Sequence, residues 1–134
     1  MSKILGMLSL SLLVGCSTLQ SYYVNNYDSN YYQLITEIRF LAHKNQSYCD
    51  DNEKSKINSI ELSDKTNFFQ LYTESVPNEV DVLSAAKQLN NISIGLSEQY
   101  KADQQPHAAF CRIKFENIET SAKSIQKILG ARPR

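Results

Sequence analysis

From residue 28 onward, apolar side chains return every three or four positions, the period of a helix with one wet face. Four segments carry this pattern. The first is expected over 28–47, with Tyr31, Leu34, Ile35, Ile38, Leu41 and Ala42 as its stripe and Asp28, Ser29 or Asn30 as its cap. The second is expected over 52–75, with Ile57, Ile60, Phe68, Leu71 and Tyr72 on one side and a more polar middle at 62–67. Val76-Pro77 ends it, because the residue before a proline avoids helical geometry. The third follows Asn78, read as its cap, and carries Val82, Leu83, Ala86, Leu89, Ser93, Leu96 and Tyr100; Gly95 within it reads as a close helix contact. The fourth has the cleanest stripe: Cys111, Phe115, Ile118, Ala122, Ile125 and Leu129 alternate spacings of four and three. Pro106 is expected in its first turn, and Gly130 just past its end in the C′ position.

Three short connections favour antiparallel neighbours, so the fold expected is all-α: an up-down-up-down four-helix bundle over 28–134. The alternative is a three-helix arrangement with a broken second element. In the four-helix topology the end of the first helix and the start of the fourth share one end of the bundle. Cys49 lies at the first and Cys111 at the second, close enough in the fold for one disulfide.

The chain before residue 28 has a different pattern. Lys3 precedes an apolar run, Ile4 to Val14, that is shorter than the roughly 20 residues a membrane span requires. Gly15 and Cys16 close it. Residues 1–15 thus have the layout of an export signal. Residues 16–27 show no helical stripe and read as a tether; the 11 residues after Cys16 could reach roughly 35 Å when extended.

The run Leu13-Val14-Gly15-Cys16 resembles the lipobox of bacterial lipoproteins, in which the segment before the Cys is removed and the Cys becomes an acylated first residue. That resemblance implies a lipid anchor at Cys16. One acyl chain holds only marginally, so stable anchoring takes at least two; the family carries three. Ser17 after the Cys resembles the outer-membrane sorting signal of enterobacterial-type lipoproteins, where Asp would favour the inner membrane. The expected location is the outer membrane, facing the periplasm. An ordinary export signal with an incidental Cys16 is the other reading.

Composition fits this address. Signal removal takes Lys3, one of 14 basic side chains, and none of the 14 acidic ones, which leaves a net charge near −1 without basic blocks. Nucleic acid is therefore not an expected partner. With Cys16 acylated, Cys49 and Cys111 remain as an even pair in an oxidising compartment, which independently favours a disulfide.

Candidate chemistry is sparse. His43, Cys49, His107 and Cys111 could all reach one end of the bundle, and two Cys with two His can hold zinc. The oxidising compartment and the six-residue spacing of His43 and Cys49 favour the disulfide instead, so no metal and no cofactor is expected. No Gly-x-Ser-x-Gly turn, free Cys or phosphate-cradling glycine loop is evident, and Glu37, Glu61, Glu116 and Glu119 read as solvated surface. Five of the eight tyrosines fall at Tyr22, Tyr23, Tyr27, Tyr31 and Tyr32, beside the expected anchor. Tyrosine suits a half-wet boundary, so Tyr22, Tyr23 and Tyr27 are candidate interface residues toward lipid headgroups or a protein.

The function expected is a binding module in the cell envelope, not an enzyme, with the membrane and another envelope protein as partners. The small size, anchor and helical body also resemble the outer spanin subunits of phages, which act in host lysis. With 3 prolines the chain departs from the proline-rich examples of that class. Superinfection-exclusion lipoproteins share the layout, and a small enzyme or inhibitor acting on cell-wall material is the alternative from another class.

Overall fold

The computed structural model describes residues 25–102 and 105–134. Four helices follow one another: α1 (Ser29–Asn45), α2 (Asn52–Ser75), α3 (Val80–Lys101) and α4 (Ala108–Gly130), with a 3₁₀ turn at Gln46–Tyr48 after α1. Each helix packs on the next, and α4 returns to α1. This is the all-α, up-down-up-down bundle that short connections between amphipathic segments dictate. The three-helix alternative is excluded because α2 runs unbroken through its polar middle.

Local chemistry sets the helix starts. The Asp28 carboxylate accepts from the N–H groups of Asn30 and Tyr31, and Asp51 accepts from that of Lys54, so α1 and α2 begin with side-chain caps. α3 begins differently from expectation. Asn78 adopts a left-handed turn conformation (φ 61°), which Asn tolerates better than most residues, and Glu79 takes the cap position without a capping hydrogen bond. Pro106 lies just outside α4, whose cap position is His107.

Two glycines also differ from expectation. Gly130 is the last residue of α4, and the cap is Ala131 in ordinary right-handed geometry. Glycine there leaves room for the ring of Tyr32, which lies 2.9 Å from where a Cβ would stand and would have to shift for any larger residue. Gly95 is exposed, with nothing near the place of its missing Cβ, so it marks no close helix contact.

The stripes expected for α1, α3 and α4 form the core. Tyr31, Ile35, Ile38 and Ala42 meet Cys111, Phe115, Ile118, Ala122, Ile125 and Leu129, and α3 adds Val82, Ala86, Leu89, Leu96 and Tyr100. Leu34, Leu41 and Leu83 are only half-buried.

α2 is turned the other way. Its buried face is Ser55, Ser59, Leu62, Thr66, Phe69 and Thr73, four hydroxyls among six side chains. The expected stripe faces outward instead: Ile57, Phe68 and Leu71 are 63%, 55% and 55% exposed, with Ile60 and Tyr72 half-buried. The buried hydroxyls are satisfied close to home. Ser59 donates to Lys56 O, Thr66 to Ser63 O and Thr73 to Phe69 O, while Ser55 reaches Tyr48 O. Hydroxyls bonded back to their own helix can sit in an interior without a cross-bundle partner. Cross-bundle links add to these: the Asn90 amide donates to Gln70 and its carbonyl oxygen accepts from Thr66, while Thr73 accepts from the Tyr31 hydroxyl of α1.

Candidate functional site

The signal (1–15), the lipidation residue Cys16, the sorting residue Ser17 and the candidate interface residues Tyr22 and Tyr23 lie outside the described residues. Tyr27, the third candidate interface residue, is described. It is not a free tether side chain. Its N–H donates to Pro133 O at 2.8 Å, its ring centroid is 5.7 Å from that of Tyr32, and the Arg134 guanidinium lies 4.7 Å over its face. The chain therefore folds against the helices from Asn25 onward.

The bundle end where the chain enters carries a dense polar and aromatic cluster. Glu79, at the start of α3, accepts two hydrogen bonds from the Arg132 guanidinium beyond α4. The two side chains are 3% and 8% exposed. A buried ion pair holds only when its hydrogen bonds are satisfied. Here the Asn25 amide adds a third donor to Glu79 at 2.7 Å and also donates to Pro77 O. The entering chain, the α2–α3 turn and the exit from α4 are thus fastened at one carboxylate, which also sits at the positive end of α3.

Beside it, Tyr31 stacks on Phe69 at 5.2 Å, receives the Arg132 guanidinium at 5.7 Å, and donates its hydroxyl to Thr73. Burial pushes the Tyr31 phenol up to about 12. The Tyr72 hydroxyl donates to Asp28 at 2.6 Å. That hydrogen bond is the main reason the Asp28 carboxyl lies below its ordinary value and the Tyr72 phenol above its own. Nothing in the sequence pattern pointed to the Glu79–Arg132 pair, because its partners lie 53 residues apart. The one available hint was a Glu followed at once by an apolar helix, with an Arg after the final glycine.

At the opposite end Cys49 and Cys111 form the expected disulfide, with Cα atoms 5.7 Å apart. It ties the turn after α1 to the first turn of α4 within one chain. The four-residue zinc site is thereby ruled out, since the two sulfurs are bonded to each other. Among the described residues no three His, Cys, Asp or Glu side chains converge on one point. His43 instead faces Glu119, with Nδ1 3.1 Å from Oε1, and Gln46 donates to the other carboxylate oxygen at 2.6 Å. Glu119 is therefore part of the α1–α4 seam, not the free surface group the sequence implied. Glu37 likewise pairs with Lys65 at 3.2 Å. Arg112 makes a two-pronged contact with Asp50 beside the disulfide.

The concavity of note is a shallow groove of about 270 Å³ between α1 and α2, lined by Leu34, Glu37, Asp64, Lys65 and Phe68. Its apolar lining is Leu34 of α1 and Phe68 of the outward stripe of α2. Among the described residues no helix is long and apolar enough to cross a membrane. No family model matches the chain, and neither does any curated protein or solved structure.

Proposed function

We propose that this protein is a lipid-anchored lipoprotein of the outer membrane, facing the periplasm, and that it works by binding another envelope component and not by catalysis. The observation that carries the reading is the run Leu13-Val14-Gly15-Cys16 ahead of a body closed by the Cys49–Cys111 disulfide. The run implies export and acylation; the disulfide suits the oxidising space beyond the inner membrane. The fastening of Asn25 to Glu79 supports an anchored role, because it joins the tether directly to the folded body. Between Cys16 and Asn25 an extended chain spans at most about 30 Å, so an anchor at Cys16 would tether the bundle through its Glu79–Arg132 end.

Mass spectrometry of the native protein from membrane fractions tests this. The expected product begins at an acylated Cys16 and has no free thiol. A cytoplasmic chain that retains residues 1–15 would overturn the reading. A part in host lysis, of the outer-spanin kind, further requires an inner-membrane partner encoded beside this gene; a superinfection-exclusion role requires a surface receptor that the protein blocks.

A further inference from the structure

We propose that the outward face of α2 is a docking surface for one basic amphipathic helix of a partner protein. This deepens the binding role proposed above and rests on it.

The geometry begins with spacing. Ile57, Glu61, Asp64, Phe68 and Leu71 are separated by four, three, four and three residues, which places them in one row on the outside of α2. The row is about 21 Å long, enough for two heptads of a facing helix. Its ends are apolar, and all three apolar members are more than half exposed. The same helix gives its buried face largely to Ser and Thr. A helix that hides hydroxyls and displays Ile, Phe and Leu has the polarity expected when its outer face is covered by something else. The groove beside Phe68, lined also by the Lys65–Glu37 pair, gives a facing side chain a place to enter next to Leu34.

Charge selects the occupant. Glu61 and Asp64 lie at the centre of the row, and among the described residues the ion pairs use neither of them. A second copy of this chain would bring these acids against their own counterparts in either direction of pairing, which is repulsive. An anionic lipid surface meets the same repulsion. A helix with apolar residues at heptad spacing and Lys or Arg between them satisfies both the ends and the middle of the row.

The test is photo-crosslinking of the full acylated chain in intact cells, with p-benzoylphenylalanine replacing Phe68 and, as control, replacing exposed Lys123 on α4. The expected result is an adduct at 68 only. Fragment sequencing should place it in a segment of another protein with apolar residues three and four apart and basic residues between. Glu61→Lys with Asp64→Lys should cut the yield about tenfold, equivalent to losing about 1.4 kcal/mol of attraction. Circular dichroism of that variant should be unchanged. Adducts to the protein's own residues, to a second copy, to lipid or to an acidic segment would each overturn the proposal, and so would a yield no greater than at 123. The mass of the Cys16 peptide in the same sample reports anchoring separately, so failure of the docking surface and failure of the lipoprotein reading are told apart.

Discussion

The α1–α4 pair and the α2–α3 pair are built from different materials. The first is joined by aromatic and aliphatic side chains on both helices, tied at one end by the Cys49–Cys111 bond and flanked by the Arg39–Gln126–Thr36 hydrogen bonds. The second is equally intimate in contact, but the buried face of α2 carries four hydroxyls, of which Thr66 meets Asn90 of α3, and α3 buries Ser93 and Ser97 as well. Small polar side chains allow close approach without much release of apolar surface. Burying a Leu, Ile or Phe contributes about 1.5–3 kcal/mol, and a hydroxyl bonded to its own helix contributes little. Among the described residues the buried Ser93 hydroxyl finds no partner, a further cost on the same side. A helix bundle can thus hold its shape with one half while keeping the other half available.

Ways to break this contrast can be ranked by expected size. Replacing both Cys49 and Cys111 by Ala should lower stability by about 4 kcal/mol, because the bond closes a loop of 62 residues, and denaturant titration with and without reductant checks it. Ile118→Ala on α4 should cost about 3 kcal/mol, since the side chain is fully buried. Ser59→Ala on α2, equally buried, should change stability by no more than about 0.5 kcal/mol, because its hydroxyl only back-bonds to Lys56 O and Ala favours the helix. Equal losses at 118 and 59 would erase the distinction.

The pH dependence comes from the end where all four helices meet the entering chain. Asp28 is held below its ordinary value chiefly by the Tyr72 hydroxyl, so it adds stability above its unfolded pKa. That contribution is lost as pH falls through the lower folded value. Tyr31 is raised from 10 to about 12, so its contribution is complete below pH 10 and disappears as pH rises through about 12. Thermal melts should show both arms; Asp28→Asn should flatten the acid arm and Tyr31→Phe the alkaline one. Smallest of all, Phe68→Ser with Leu71→Ser should leave the melting curve within about 0.5 kcal/mol of the parent, since both side chains are more than half exposed. A large loss would mean that the outer face of α2 supports the fold.

Three of the four helical faces were legible in the sequence because Ile, Leu and Phe recur at helical spacing on α1, α3 and α4. The disulfide was legible because topology and compartment pointed to the same two cysteines. α2 departs from its expected face because apolarity does not mark burial there. Its buried positions 55, 59, 62, 66, 69 and 73 follow a perfect four-three alternation, yet most of them are Ser or Thr. The usable signal was the absence of charge: Glu53, Lys54, Lys56, Glu61, Asp64, Lys65 and Glu74 all avoid that face. The Glu79–Arg132 fastening and the Glu119 seam stayed hidden for another reason. Each joins residues distant in sequence, and a charged side chain looks the same on paper whether it meets water or a partner.

Native-state hydrogen exchange on the intact, disulfide-bonded chain tests the central claim most directly. The account expects the central amides of α1 and α4 to exchange only through global unfolding, and those of α2 to exchange through a sub-global opening of lower free energy. Equal protection of α2 and α4 would contradict it.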